Sequence, residues 1–424
     1  MALSWQIGEL ANGLRVVTTP VPTAQSVSVN VFVGVGSRAE DRRRNGLSHY
    51  LEHMLFKGSE KRPSTMAIAE AIEGAGGILN AYTAKEFTCY LNQVPYDRFE
   101  LALDVLADMV VCPLLDAAEI ERERTVVQQE IKRAYDQPGA WASELLSRAS
   151  YGDQPVGWSI AGTEETVGAL RREDFVDHVQ TWHVPNNMVL SVAGNTDHER
   201  VMDGAARHLG ALGRRPVPDF EPARPEVPQE RVLVEKREIA QSNLALALRA
   251  LSRTDPDRYS LMILNTVLGR GMSSRLFKEV RERRGLAYAV GSGVSRHRDT
   301  GLLSISAGVS PEKLRDASQV ILEEVFKLSE EPVPAEELAR ARDYAVGTFR
   351  LSLETPMALA QRVGENLLTT GEIEPVEEVV AKLEAVTDDD VTAVARRLFH
   401  RDGVSAAVVG PGASEEEMAA LIAA

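Results

Sequence analysis

The two halves of this chain repeat one another, and the repeat limits the possible folds more than any other feature. VSVNVFVGVGSRAE precedes a helix-forming segment in the first half, and LALALRALSRTD precedes YSLMILNTVLGRG in the second. Further along, LNQVPYDRFELALDVLADMV corresponds to SAGVSPEKLRDASQVILEEV, and each is typical of a strand, a turn and an amphipathic helix. An α+β unit that occurs twice would explain the pattern of both halves.

A proline-rich segment separates the repeats. Five prolines fall between Pro216 and Pro228, where they block helices and favour an extended connection. At 424 residues the chain is also too long for one hydrophobic core. We therefore predict a domain over residues 1–212, a linker over 213–231 and a second domain over 232–424. The predicted class is α+β, with an antiparallel-rich sheet and helices packed on one face in each unit.

Composition excludes several classes of function. With 44% hydrophobic and 26% charged residues, the chain is typical of globular proteins. Its net charge of −15 argues against nucleic acid and anionic membranes as partners. The first residues resemble neither a signal nor a transit peptide, and no apolar run reaches the ~20 residues that span a bilayer. We expect a cytoplasmic protein with no nucleic-acid or membrane partner.

The segment GLSHYLEHMLFKG places two histidines and a glutamate among apolar residues. His49 and His53 are one helical turn apart, so both imidazoles can reach one zinc ion. Glu52 can lean over the same point without being a ligand. On a second helical segment, Glu130 is the candidate third ligand, and Glu123, two turns earlier, would orient a ligating histidine. This set leaves a position open for water, as catalytic zinc sites do.

Simpler interpretations of these residues exist. A histidine pair one turn apart is often a surface or core feature, and short motifs also arise by chance. However, three titratable groups on an apolar helix are costly without a cation or partners. The second repeat carries Met262, Asn265 and Thr266 at the corresponding positions, and Ala341 and Thr348 where the first has its two downstream glutamates. The shared scaffold therefore does not require the polar cluster.

HYLEH resembles the inverted zinc motif H-x-x-E-H of the inverzincins, and Glu130 follows His53 at the interval expected in the pitrilysin/insulinase family. The resemblance covers nearly the whole chain, whose length is similar to that of the short mitochondrial-processing-peptidase-like subfamily. It implies two units that form a clam-like chamber, and one Zn²⁺ per chain held by His49, His53 and Glu130. The implied function is a zinc-dependent endopeptidase for extended or unfolded peptides, with Glu52 as general base on zinc-bound water.

The same resemblance implies further site residues. GAGGILNAYTAKEFTCY resembles the family's substrate-binding edge strand, with Asn80 and Ala81 beside the scissile bond, although an ordinary half-buried strand has the same pattern. Phe56 would line the pocket for the residue after the cut, with core packing as the alternative. In the second half, Arg281 would hold the substrate backbone and Tyr288 would donate to the oxyanion. Taken alone, that stretch is only a basic helix start followed by a strand.

The resemblance also implies that two chains assemble. We expect a homodimer, with a heterodimer containing an inactive homologue as the alternative. The rival function is a non-catalytic scaffold or partner subunit, which the combination of zinc motif and Arg281/Tyr288 pair disfavours. A structural zinc site is disfavoured because such sites prefer closed Cys/His sets. Selection of basic residues near the cut is not carried over, because Ala140 interrupts the acidic positions Asp136 and Glu144.

Overall fold

The computed structural model describes residues 4–424 of the chain. They divide into two compact units, neither of which is one continuous stretch. The first unit comprises residues 4–131, 159–221 and 350–376, and the second comprises residues 132–158, 222–349 and 377–424. Within residues 4–424, no helix combines the length and the apolar character that crossing a membrane requires.

The first unit is built on a six-stranded sheet. Its strands are β1 (Gln6–Glu9), β2 (Arg15–Pro20), β3 (Ser26–Val33), β4 (Ile78–Thr83), β5 (Thr88–Pro95) and β6 (Met188–Gly194). Their order is β1-β2-β6-β3-β5-β4, and every neighbouring pair is antiparallel except the parallel pair β2–β6. Because β4 pairs only with β5, it forms one edge of this sheet.

The helices of the first half connect and cover these strands. They are α1 (Leu47–Leu55), α2 (Thr65–Glu73), α3 (Phe99–Val111), α4 (Ala117–Asp136), α5 (Pro138–Tyr151), α6 (Glu164–Ala169), α7 (Arg172–Trp182) and α8 (His198–Leu209). α3 packs on β3 and β5, and α8 packs on β2. They cover the face formed by alternate strand residues such as Val29, Val31 and Val33, which are completely buried.

The second unit contains a five-stranded sheet of the same design. Its strands are β7 (Val232–Glu235), β8 (Ser242–Ala250), β9 (Ala287–Arg296), β10 (Gly301–Val309) and β11 (Ser405–Val409). The order β7-β11-β8-β10-β9, with β7–β11 as the parallel pair, matches the order β2-β6-β3-β5-β4 of the first sheet. β9 therefore occupies the edge that β4 occupies in the first unit, and β1 is an addition.

The helices of the second half follow the same sequence as those of the first. They are α9 (Arg258–Gly269), α10 (Leu314–Glu330), α11 (Ala335–Leu351), α12 (Pro356–Thr369), α13 (Val376–Ala385), α14 (Asp388–Leu398) and α15 (Glu415–Ala423), with a π-helix at Phe277–Arg283. The two homologous α+β units predicted from the repeat are confirmed.

Each unit takes one helix from the other half of the chain. α5 packs across β7, β8, β10 and β11 in the second unit, and α12 packs across β2, β3 and β6 in the first. The exchanged segments are equivalent in the repeat, since 132 + 218 = 350 and 158 + 218 = 376. The compact units therefore differ from the contiguous domains 1–212 and 232–424 predicted above. The linker was predicted from local composition, and residues 212–231 indeed contain no helix or strand. Local composition does not indicate which of the two sheets a later helix covers.

The exchanged helix also corrects the prediction that helices lie on one face of each sheet. α12 covers the face that contains Val17 and Phe32, opposite the face covered by α3 and α8. Gly364 permits this close approach, because an added Cβ would lie 2.3 Å from the Phe32 ring. The hydroxyl of Ser191 donates a hydrogen bond of 2.7 Å to the carbonyl of Ala360 across the contact. Both faces of the first sheet are therefore covered by helices.

Candidate metal centre

Helix α1 begins at a tightly packed turn. Gly46 has a φ of 99°, and an added Cβ would lie 2.6 Å from the carbonyl oxygen of Ala161, so the position requires glycine. The buried Glu40 carboxylate accepts hydrogen bonds from the backbone N–H of Gly46 (2.7 Å) and of Ser48 (2.6 Å). Burial raises the pKa of Glu40 to about 7, against the effect of these donors. Together these contacts fix the start of the helix that carries the histidines.

The three predicted zinc ligands come together. His49, His53 and Glu130 each offer one ligand atom, and these atoms lie within 4.8 Å of one another. Oε2 of Glu130 is 3.6 Å from Nε2 of His49 and 3.3 Å from Nε2 of His53. Ligand atoms around a tetrahedral zinc with bonds of ~2.0–2.1 Å are separated by roughly 3.4 Å. The two separations from Glu130 match this spacing, and two imidazoles with a carboxylate are a set of donors that zinc binds in proteins.

Glu123, which was predicted to orient a ligating histidine, contacts Nδ1 of His53. Its Oε1 is 2.9 Å from Nδ1 of His53, and its Oε2 is 2.5 Å from Nζ of Lys57. A carboxylate can only accept, so the neutral His53 tautomer that completes this contact carries its proton on Nδ1 and keeps a lone pair on Nε2. Burial raises the pKa of Glu123, but His53 and Lys57 outweigh it and the net shift is downward. The contact of Lys57 with Glu123 was not predicted. The position of Lys57 one helical turn after His53 is the feature of the sequence that could have indicated it.

The two histidines differ in their electrostatic surroundings. Burial, followed by the proximity of His53, lowers the pKa of His49 to about 4. Burial also lowers the pKa of His53, but the hydrogen bond to Glu123 and the charges of Glu130, Glu123 and Glu52 raise it above its ordinary value. Within residues 4–424, the buried Nδ1 of His49 has no hydrogen-bond partner. A neutral imidazole keeps a lone pair on one ring nitrogen, and in the tautomer protonated at Nδ1 that nitrogen is Nε2, which lies 3.6 Å from Oε2 of Glu130.

Glu52 lies beside the ligands on the same helix and bonds to the edge strand. Its Oε2 accepts a hydrogen bond of 2.6 Å from Oγ1 of Thr83, the last residue of β4. Burial raises the pKa of Glu52, the Thr83 hydrogen bond and the charge of His53 lower it, and the net shift is upward. A carboxylate in this position can accept a proton in a reaction at the metal. Thr83 was not predicted, because nothing local in the sequence links a strand hydroxyl to a distant helix.

The predicted substrate-binding residues lie on or beside this strand. Asn80 is exposed on β4, and its Oδ1 accepts a hydrogen bond of 2.8 Å from the N–H of Ala81. Ala81 is half-buried and packs against the core of the first unit. Phe56, which follows the end of α1, packs against the same core. The contacts of these residues with substrate stay predictions, and core packing accounts for at least part of the Phe56 side chain.

Arg281 and Tyr288 belong to the second unit. Arg281 lies in the π-helix, and its guanidinium carbon is 4.9 Å from the ring centre of Phe277 and 5.3 Å from that of Tyr288. The Tyr288 side chain is 76% exposed on the edge strand β9. π-helical turns are rare and occur frequently at functional sites. The structure thus pairs the two residues with each other, and their roles toward substrate stay predictions.

Sequence comparisons place relatives along the whole chain. Residues 15–164, which contain the HYLEH motif and Glu130, match the family model "Insulinase (Peptidase family M16)", and residues 169–344 match "Peptidase M16 inactive domain". The uncharacterized zinc protease SCO5738 of Streptomyces coelicolor is 37% identical over 95% of this chain and 88% of that protein. The uncharacterized zinc protease YmxG of Bacillus subtilis is also 37% identical, over 92% of this chain and 95% of that protein.

Solved structures agree on the fold. A protease from Helicobacter pylori superposes with a TM-score of 0.89 at 21% identity, covering 96% of this chain and 100% of that one. A chain of Complex III2 from Candida albicans gives a TM-score of 0.85 at 19% identity, covering 98% of this chain and 99% of that one. At these identities the likeness to the solved structures concerns the fold alone. The two zinc proteases named above are similar to this chain in sequence as well. The chain therefore belongs to the insulinase family of peptidases, family M16.

Proposed function

We propose that this protein is a zinc-dependent endopeptidase that hydrolyses extended or unfolded peptides. One observation carries the proposal: the ligand atoms of His49, His53 and Glu130 lie within 4.8 Å of one another, with the Glu52 carboxylate on the same helix as the two histidines. A zinc ion bound there supplies Lewis acidity to the attacking water and the scissile carbonyl. The names of the curated relatives, zinc proteases, support the choice of metal.

The residues of the chain have distinct roles in this proposal. His49, His53 and Glu130 hold the metal, and Glu123 keeps the proton of His53 on Nδ1. Glu52 takes a proton from the attacking water and delivers it to the leaving amine, so that it ends each turnover as it began. The water oxygen forms the new bond to the carbonyl carbon, the C–N bond breaks, and the leaving nitrogen receives the proton that Glu52 took from the water.

The edge strand β4 is the proposed place for the substrate. An extended peptide can add to an exposed edge through main-chain hydrogen bonds, which are insensitive to side-chain identity. Asn80 and Ala81 lie on this strand, close along the chain to Thr83, which contacts Glu52. Phe56 would contact the residue after the cut. Because main-chain hydrogen bonds would hold the peptide, we expect the protein to cleave many different sequences. From the family resemblance we also propose that the reaction takes place in an enclosed chamber.

Arg281 and Tyr288 complete the proposal from the second unit. Tyr288 would donate its phenolic proton in a hydrogen bond to the oxyanion that develops at the scissile carbonyl, and Arg281 would hold the substrate backbone. The exposure of Tyr288 supports its availability for a ligand, and the 5.3 Å between the Arg281 guanidinium carbon and the centre of the Tyr288 ring supports a joint role for the two residues. We also propose assembly as a homodimer, on the family resemblance.

The proposal is tested by mass-spectrometric mapping of a mixed peptide library incubated with the purified protein. Cleavage should require zinc, stop when a chelator is added and return when zinc is restored. Cleavage that ignores the chelator would contradict the proposed metal chemistry. Absence of cleavage by zinc-loaded protein would favour the non-catalytic alternative, a scaffold or partner subunit, for which the likeness to a Complex III2 chain is the supporting observation.

A further inference from the structure

The hydroxyl of Thr83 contacts the carboxylate proposed as the general base. Oγ1 of Thr83 donates to Oε2 of Glu52 over 2.6 Å, and within residues 4–424 no other side chain donates to that carboxylate. With Oε2 engaged, Oε1 is the oxygen available to take a proton. Thr83 is also the last residue of β4, the strand proposed to bind the substrate. One side chain thus joins the substrate strand to the base.

The position of Thr83 is set by the hairpin that follows it. Thr83 and Thr88 are paired across the hairpin, and the N–H of Ala84 donates to the carbonyl of Phe87 over 2.8 Å to close the turn. The partner at the other end, Thr88, is buried and donates to the carbonyl of Val35 over 2.9 Å. The two threonines therefore share the same hairpin, while only Thr83 contacts the base.

A buried ion pair anchors this hairpin to the rest of the unit. Arg38 is 1% exposed, and its Nη1 lies 2.8 Å from Oε1 of Glu86 in the turn. The backbone N–H of Arg38 donates to the carbonyl of Lys85 over 2.8 Å. Gly36 completes the contact, because an added Cβ would lie 2.1 Å from the carbonyl oxygen of Ala84. Backbone contacts and the buried ion pair together attach the turn to the segment that contains Gly36 and Arg38.

We propose that Thr83 is a positioning residue for catalysis, which holds Glu52 in register with a substrate bound along β4. The inference rests on the proposed function, and it adds the residue that couples the strand to the base. A hydrogen bond to a catalytic group from outside the reacting atoms commonly contributes 10–100-fold in activity. Losing this bond should act on kcat, because substrate contacts along β4 would remain.

The experiment compares Thr83→Val, Thr83→Ser and the matched control Thr88→Val, using the best-cleaved peptide of the library. Thr83→Val should lower kcat by about 10-fold or more with KM and zinc content near those of the parent, and Thr83→Ser should recover most of that loss. Thr88→Val removes a hydroxyl of the same hairpin and should change stability but not kcat. Equal kcat losses in Thr83→Val and Thr88→Val would overturn the inference, as would full activity in Thr83→Val.

A double-mutant cycle supplies a readout that does not depend on activity. The effects of Thr83→Val and Glu52→Ala on the unfolding midpoint of the metal-free protein should be less than additive in the double variant, because each single change already removes the same contact. Additive midpoints would overturn the inference. Zinc-loaded parent that cleaves nothing would overturn the proposed function itself, and the catalytic meaning of Thr83 with it, even where the cycle shows the contact.

Discussion

The two units build the same sheet and differ in what they place on one pair of helices. α1 carries His49 and His53, whose side chains point toward a common centre with Glu130. Its counterpart α9 carries Met262 and Thr266, and the hydroxyl of Thr266 donates back to the carbonyl of Met262 over 2.9 Å. In the second unit the hydroxyl of Thr266 is therefore satisfied within its own helix, whereas in the first unit the imidazoles of His49 and His53 lie beside the carboxylate of Glu130.

The helices α4 and α11 show the same contrast beside a retained contact. Arg124 of α4 donates to the carbonyl of Leu170 over 2.9 Å, and its equivalent Arg342 donates to the carbonyl of Val386 over 2.7 Å. In contrast, the position of Glu123 is occupied by Ala341, a buried core residue. The arginines belong to the scaffold, and the glutamates do not. Since the second unit forms the same fold without these histidines and glutamates, the fold does not depend on the site.

The largest effect is expected when α1 is given the residues of α9. The triple variant His49→Met, Glu52→Asn, His53→Thr should fold, bind no stoichiometric zinc and lose all zinc-dependent peptide cleavage. Its unfolding midpoint should equal or exceed that of the metal-free parent, because partly buried titratable groups are costly without a cation. Zinc content, cleavage and thermal unfolding measure this, with Thr266→Ala as a control that keeps zinc. An unfolded triple variant would show that the fold needs the cluster.

A smaller effect is expected from giving α4 the alanine of α11. Glu123→Ala removes the acceptor of the Nδ1 proton of His53 and should weaken zinc affinity by about 10–100-fold. Competition with a chromogenic chelator measures the affinity. Glu121→Ala, two residues away on the same helix and paired with Arg124 at the surface, is the matched control and should leave the affinity unchanged. Equal affinities in the two variants would assign Glu123 to the scaffold.

The exchange of helices can be tested through the glycine that admits α12. Gly364→Val would force side-chain atoms into the Phe32 ring and should destabilise the protein by about 1–3 kcal/mol or more. Gly347→Ala on α11 is the control, since an added Cβ there meets nothing within 4 Å. That change should stabilise by up to about 1 kcal/mol. Denaturant unfolding measures both, and a neutral Gly364→Val would argue against close packing of α12 on the first sheet.

The smallest expected difference between the units concerns the loss of stability at low pH. The buried histidines among residues 4–424, His178 and His183, both lie in the first unit, and burial lowers their pKa values to about 3 and about 4. The unfolded chain binds these protons near pH 6.5, so their contribution to stability is complete above that pH and is lost as the pH falls toward 4 and 3. Each contributes a slope of at most about 1.4 kcal/mol per pH unit.

Denaturant unfolding between pH 7.5 and 4.5 measures this slope. His183→Asn keeps a donor for the carbonyl of Val110, to which Nδ1 of His183 bonds over 3.2 Å, and should flatten the dependence. The exposed His400→Gln is the control and should not change it. A slope unchanged in His183→Asn would show that other groups determine the acid sensitivity.

Much of the site could be predicted because local spacing determines it. His49 and His53 share a helix face at a one-turn separation, and Glu123 and Glu130 share another at two turns, so each pair is set by helix geometry alone. The repeat likewise determined the order of elements in both units. Contacts between distant segments were missed: Thr83 with Glu52, Lys57 with Glu123, and α12 on the first sheet. These depend on packing in three dimensions, which leaves no periodic signal in the chain.

In the proposed mechanism the histidines and Glu130 bind the metal while Glu52 moves the proton, and one variant separates these two roles. Glu52→Gln keeps the shape of the side chain and an acceptor for Thr83 but cannot take a proton. Zinc content and cleavage of the best library peptide should be measured together, for the variant and the parent. We predict that the variant holds as much zinc as the parent and cleaves about 10²–10⁴-fold more slowly. Zinc-dependent cleavage close to the parent rate, or loss of the zinc, would contradict it.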